Sequence, residues 1–285
     1  MRKTLLAAFA TVVTVCGLTF AAAPAQASTG GTVDGDLHPD VGLIAFYDGD
    51  GRWRCSATLV SPTVVITAAH CTLGTLGKTL VTFDTYLDDA PPSFLPEAAD
   101  PAAGYTAAEL AAAGYHSGTA YTHPEYSDFT DLKNWNDVGV IVLDEPLASH
   151  DTAGYAPIAE TGTLDLIAPS DYKETIFTAV GYGTEVRQDG VDNRKPVPQS
   201  YPIVRRYVEM PAQKITPQIL QTNGNENDPW GTGGTCFGDS GGPVYLDGEL
   251  VAVTSYGYTS NCRYLDGYQR VDIPVVEAWL DGFGL

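Results

Sequence analysis

"GGTCFGDSGGPVY", residues 233–245, is the stretch on which the fold turns. Glycines and an aspartate crowd around Ser240, and an apolar Pro243-Val244-Tyr245 run begins three residues later. The plainest reading is a glycine-rich turn carrying a solvated serine. A second is the strand–turn–helix elbow, because Gly238 to Gly242 fits G-x-S-x-G letter for letter. A third makes Ser240 a nucleophile in another topological order.

Serine becomes nucleophilic when a histidine takes its proton and a carboxylate orients that histidine. The elbow of α/β-hydrolases presents these groups in the order Ser, acid, His, so a histidine must follow the serine. All five histidines, His38, His70, His116, His123 and His150, precede Ser240. The elbow reading fails, and the order His–Asp–Ser remains. Only His70 has a suitable context: "VVITAAHC" leads an apolar strand through small residues into His70-Cys71. His38 and His123 stand before prolines and read as loop residues, and His150 sits in polar company. For the acid, "NWNDVGVIVLDEP" places Asp137 directly before the apolar run Val138–Leu143, where burial strengthens a bond to imidazole. Asp144, past that run, reads as a turn residue.

Around these residues, short apolar runs alternate with turn clusters: Val41–Tyr47, Trp53–Val60, Thr63–Ala69, Thr79–Tyr86, Val138–Leu143, Thr175–Val180, Val204–Met210, Gly242–Leu246 and Glu249–Tyr256. Many short strands with few helical periods indicate an all-β barrel or sandwich protein. Helical patterns are confined to Thr106–Ala113 and Ile273–Phe283. Residues 88–114, rich in Asp, Ala and Pro, read as a surface insertion, and no internal repeat is legible. Asp48-Gly-Asp-Gly51 lacks the later acidic ligand of a calcium loop and reads as a hairpin turn. No metal site and no cofactor are expected.

Arg2-Lys3, the apolar Thr4–Ala23 and the small-x-small Ala25-Gln-Ala27 have the layout of a secretory signal peptide over residues 1–27, with a mature start near Ser28. Four cysteines remain beyond it, Cys55, Cys71, Cys236 and Cys262. In an oxidising compartment they suggest two disulfides with three open pairings, of which proximity favours Cys55–Cys71 and Cys236–Cys262. Each such loop is worth roughly 3 kcal/mol in the chain-entropy account. The whole chain carries 15 basic and 35 acidic residues, a net charge of −20. Loss of Arg2 and Lys3 leaves 13 against 35, or −22. That balance argues against nucleic acid and anionic membrane surfaces as partners.

Thr67-Ala-Ala-His-Cys71, Asn136-Asp137 ahead of an aliphatic run, and Gly238-Asp-Ser-Gly-Gly-Pro243 together resemble the three signatures of the chymotrypsin/trypsin-like serine protease family, in a secreted, bacterial-type member. Gly181-Tyr-Gly183, Ser255-Tyr-Gly257 and Trp279 in the terminal helix extend the likeness across most of residues 33–285. The resemblance implies two six-stranded antiparallel β-barrels with a C-terminal helix. The first would span residues 28–150 and hold His70 and Asp137; the second would span 151–285 and hold Ser240. It implies that His70 is base and then acid, that Asp137 fixes its tautomer, and that the N–H groups of Gly238 and Ser240 form an oxyanion hole. Ser255 would support Asp137, and Gly257 would pair with substrate backbone. The implied activity is secreted endopeptidase action on protein or peptide by a monomer, with a proteinaceous inhibitor as a further partner. A binding protein on the same fold and an esterase using the same triad are the rival readings.

Two departures from the family pattern matter. Where zymogen-type members carry Ile-Val-Gly-Gly, whose new ammonium pairs with the aspartate before the serine, this chain has Thr32-Val33-Asp34-Gly35. No Lys or Arg lies between Ser28 and Gly51, so tryptic activation there is ruled out and Asp239 needs another partner. The base of the specificity pocket, where trypsin-like members have aspartate, is Gly234, followed by Thr235 and with Phe237 near the rim. An open glycine floor suggests cleavage after apolar residues, unless Asp266 on the opposite wall reaches the pocket and restores a preference for basic ones.

Overall fold

The computed structural model describes residues 30–148, 154–187, 197–225, 231 and 233–285. The signal segment, the mature start and His150 lie outside the described residues. β-Branched and aromatic residues dominate the strands, which suits a pleated surface packed on one side or both. Six strands close the first barrel: β1 (Val41–Tyr47), β2 (Arg52–Leu59), β3 (Val64–Thr67), β4 (Leu76–Thr82), β5 (His116–Thr122) and β6 (Gly139–Leu143). They pair antiparallel in the order β1-β2-β3-β6-β5-β4, and β4 returns to β1. The second barrel uses β7 (Ile176–Gly181), β8 (Arg206–Ile215), β9 (Ile219–Asn223), β10 (Pro243–Leu246), β11 (Glu249–Gly257) and β12 (Leu265–Arg270). Its order is β7-β8-β9-β12-β11-β10, closed by β10 on β7. The two orders are the same, so a repeat that side-chain pattern hides is present in the topology.

Ile44, Leu59, Val65, Val81 and Ile141 fill the first barrel, and Phe177, Val208, Leu220, Val251 and Tyr268 the second. A third apolar cluster runs across the seam through Val41, Tyr182, Ile203 and Val253 and ends on the helix α2 (Pro274–Leu280) at Val276 and Leu280. Three strands escape the sequence pattern, namely β5, β9 and β12. In "LDGYQR" of β12 the residues Asp266, Gln269 and Arg270 are polar yet buried, which erases any apolar alternation.

The 88–114 segment is exposed in part but is also packed into the molecule. Tyr105 and Leu110 are fully buried, and the Tyr105 ring meets Tyr47 of β1 edge-on at 5.0 Å. Its helix α1 (Ala107–Ala112) starts with a reciprocal capping box between Thr106 and Glu109, which satisfies two otherwise orphaned N–H groups. Asp48 accepts from the Asp50 and Gly51 N–H groups, as a turn requires.

Candidate active site

β3 ends at Thr67, and a single 3-10 turn, Ala69–Cys71, carries His70 to the seam. The disulfide Cys55–Cys71 fastens that turn to β2 across a Cα separation of 6.3 Å. Asp137 precedes β6 and is fully buried. His70 Nδ1 lies 2.9 Å from Asp137 Oδ2, and the His70 backbone N–H donates to Oδ1 at 2.9 Å. One carboxylate therefore holds both the ring and the main chain of the histidine, which fixes the ring's orientation. Burial would lower the imidazole pKa, but the charge of Asp137 and its hydrogen bond outweigh burial and raise it.

Asp137 belongs to the first barrel, yet the second barrel holds it. Ser255 Oγ donates to its Oδ2 at 2.6 Å, and Trp135 Nε1 in turn donates to Ser255 Oγ at 2.9 Å. The Asp137 N–H donates to Gln269 Oε1 at 3.0 Å. Ser255 was expected in this role from the resemblance; Trp135 and Gln269 were not. No local signal marks Gln269, because its strand is itself hidden by buried polar residues.

The loop bearing Ser240 docks on β2 through Ser56, whose N–H donates to the Ser240 carbonyl at 2.8 Å and whose Oγ donates to the Gly238 carbonyl at 2.8 Å. Two glycines are dictated by this path. Gly238 has φ +99°, and at Gly241 (φ +74°) a Cβ would stand 1.9 Å from Thr67 Oγ1. Among the described residues, the Gly238 and Ser240 N–H groups donate to no protein acceptor. His70, Gly238 and Ser240 line one cleft of about 660 Å³.

Asp239, the residue expected to lack its ammonium partner, is buried and accepts from the N–H groups of Gly183 at 2.7 Å and Cys236 at 2.8 Å. The segment carrying Thr32 and Val33 pairs with Tyr207 and Arg206 of β8, and Asp34 forms a buried ion pair with Arg205 at 2.8 Å.

Across Ser240 from that cleft lies a recess of about 370 Å³, lined by Thr235, Phe237, Ser240, Ser255 and Gly257 among others. The disulfide Cys236–Cys262 borders it, with a Cα separation of 5.2 Å. Both pairings favoured by proximity are thus formed. Gly234 has Asp266 beside it: a Cβ on Gly234 would lie 2.7 Å from Asp266 Oδ2. Asp266 is buried and accepts from the Thr235 N–H at 2.7 Å, and burial raises its carboxyl pKa to about 7.

Among the described residues, the other histidines do not join the site. His123 is a loop residue, as expected, and is buried against Trp279 at 4.9 Å with its Nδ1 accepting from the Glu125 N–H at 3.1 Å. His38, expected in solvent, bonds Asp34 and stacks on Tyr245 at 5.6 Å. The one group of metal-capable atoms among the described residues is Cys55, His70 and Cys71. Its two sulfurs are bonded to each other and are spent as ligands.

Two closed barrels that meet at a carboxylate-held histidine and a serine flanked by unpaired N–H groups are the architecture of the two-barrel serine hydrolases. The chain belongs to the trypsin family of serine proteases, whose family pattern, described as Trypsin, matches residues 41–280. A trypsin of Saccharopolyspora erythraea is 29% identical over 240 residues, covering 80% of this chain and 86% of its own. Brachyurin of Leptuca pugilator is 27% identical and covers 78% of this chain and 84% of its own. Among solved structures, HL collagenase matches with a TM-score of 0.61 at 16% identity, over 92% of this chain and 98% of its own. Human heparin binding protein matches at 0.57 and 16% identity, over 89% of this chain and 95% of its own. These two likenesses are of fold. No helix among the described residues is long and apolar enough to cross a membrane.

Proposed function

We propose that the protein is a secreted endopeptidase that works through an acyl-enzyme on Ser240. The observation that carries this is His70, held by Asp137 at 2.9 Å, facing the cleft that Ser240 and Gly238 also line. His70 Nε2 takes the hydroxyl proton as Ser240 Oγ attacks the scissile carbonyl. The N–H groups of Gly238 and Ser240 receive the developing oxyanion, a contribution of about 3 kcal/mol per donor. His70 then gives its proton to the departing amine, and water repeats the sequence to release the acid. The raised imidazole pKa follows the imidazolium that each half-reaction creates beside Asp137.

The acyl side of the substrate enters the 370 Å³ recess beside Ser240, with Gly257 pairing its extended backbone and Gly234 buried behind Thr235. Because Asp266 stands beside Gly234, its carboxylate is the floor charge, and the pocket takes Arg or Lys. With Asp266 protonated, the same recess takes Tyr, Phe or Leu; Gly234 itself is not an open floor, because it packs against the Gly224 backbone. The test is a mixed peptide library digested by the purified protein beside Ser240→Ala, with a fluorophosphonate probe to tag the serine. Expected are cuts after basic and large apolar residues and labelling of Ser240, with turnover reduced by about 10⁶-fold in the variant. Equal cutting by the two proteins, or no cutting by either, would sink this reading.

A further inference from the structure

On the side of Ser240 away from Gly234, the 660 Å³ cleft has a wall unlike the rest of this acidic chain. Two arginines of β2, Arg52 and Arg54, line it together with Ser93 and Leu95 of the 88–114 segment and Tyr201. Arg54 reaches the oxyanion side directly: its Nε is 3.5 Å from where a Cβ on Gly238 would stand. One of its terminal nitrogens donates to the Ser200 carbonyl at 3.0 Å. Among the described residues, its Nε and other terminal nitrogen donate to no protein atom, and no carboxylate lies within ion-pair distance. Burial lowers its pKa, outweighing the opposing influence of Tyr201 and of the Asp239 and Asp88 charges, which act from beyond ion-pair distance. It is a half-buried cation with donors to spare.

Arg52 is held for the same direction by the 88–114 segment. Its Nη1 donates to the Leu95 and Pro96 carbonyls at 3.3 and 3.0 Å. The acidic residue lining this cleft among the described residues, Asp48, is already engaged by Trp53 Nε1 at 2.9 Å and by the turn N–H groups. A guanidinium in a partly dry groove, lacking its own carboxylate, is a site built for one brought from outside.

We propose that Arg54, backed by Arg52, forms a subsite for an acidic side chain among the first two substrate residues on the leaving-group side of the scissile bond. The proposal rests on the endopeptidase reading above and adds the leaving-group selectivity that reading does not contain. Such an enzyme cuts where a basic or large apolar residue is followed closely by Asp or Glu. The 88–114 segment then has a part in recognition, since it supplies the outer wall and fixes Arg52.

The test uses internally quenched peptides with one acyl-side sequence and Glu, Ala or Lys in turn at the first or second leaving-side position. A nitroanilide with the same acyl side and no leaving-side residues runs beside them. The expected order of kcat/KM is Glu over Ala over Lys, with about tenfold between Glu and Ala, the scale of one charge-assisted hydrogen bond. That ratio should shrink in high salt, which screens charge pairs, and fall to near one in Arg54→Gln. If the wild type cleaves the nitroanilide and all peptides without an acidic preference, the subsite is refuted and the endopeptidase reading stands. Cleavage of none of them overturns both. Should Arg54→Gln fail to fold, the wild-type series and its salt dependence decide alone.

Discussion

Asp266 Oδ2 accepts from the Thr235 N–H at 2.7 Å and also from the Tyr268 hydroxyl at 3.4 Å. Burial dominates these donors, and the nearby Asp239 charge adds to it, so the carboxyl titrates at about 7. In the pocket proposed above, Asp266 is neutral below that pH and gives a cationic side chain no counter-charge; above it Asp266 is anionic. The ratio of kcat/KM for an Arg-amide over the matching Tyr-amide should therefore rise with pH through about 7. Protonation of His70 slows both substrates alike and cancels in the ratio, and kcat/KM reports the free enzyme. In Asp266→Asn the ratio should be low and flat. A wild-type ratio independent of pH would remove Asp266 from the pocket floor.

At the scale of elements, the 88–114 segment behaves as part of the first barrel's packing. Tyr105 is 1% exposed and its hydroxyl donates to the Pro96 carbonyl at 2.7 Å, which closes the segment on itself over β1. Tyr105→Ala should cost about 3 to 5 kcal/mol in denaturant unfolding, the range for buried aromatics. A cost under about 1 kcal/mol would remove the segment from the barrel's packing. The sequence shows the segment's surface character but not its anchors, because Asp, Ala and Pro set its composition while two buried residues, Tyr105 and Leu110, set its packing. The same contrast separates what was legible in the site. His70, Asp137 and Ser240 announce themselves through local sequence: a small-residue turn, an acid ahead of an aliphatic strand, glycines forced by φ and contact. Gln269 and Arg54 do not, because each acts on a group supplied by a strand or loop far away along the chain. Gln269 meets Asp137 132 positions off, and the Arg54 side chain meets Ser200 146 positions off. Strand β12 was lost for a related reason, since its buried polar residues serve the pocket and the seam.

The whole molecule depends on that seam, and Arg205 is its chief polar fastener. It is 1% exposed and donates to Asp34 Oδ2 at 2.8 Å, the Val41 and Phe83 carbonyls at 3.0 and 2.9 Å, and Gly35, Thr85 and Tyr182. One side chain thus joins the Thr32–Asp34 segment, the first barrel and the second. Removing one partner of a buried pair leaves the other charge stranded, so Arg205→Ala should cost about 3 to 5 kcal/mol. The pH dependence has a definite sign. Burial alone would raise the Asp34 pKa, but hydrogen bonds from His38 and Arg205 outweigh it and set the folded value below 3.8. The stabilisation is complete above pH 3.8 and is lost as the pH falls further, through the folded value. Thermal unfolding of wild type should steepen its pH dependence in that window, and Asp34→Asn should not. Parallel acid curves for the two proteins would rule out the pair as a stabilising element.

The grip of Ser255 and Gln269 on Asp137 also sets a clock. Asp137 lies near the middle of the chain, while Ser240, Ser255 and Gln269 all lie in its last sixth. A chain still emerging from the ribosome has His70 and Asp137 but neither Ser240 nor the second-barrel groups that grip Asp137. The candidate catalytic residues come together only after β12 has joined its barrel. An incomplete chain therefore carries no assembled site, and its synthesis is nearly finished before one can form.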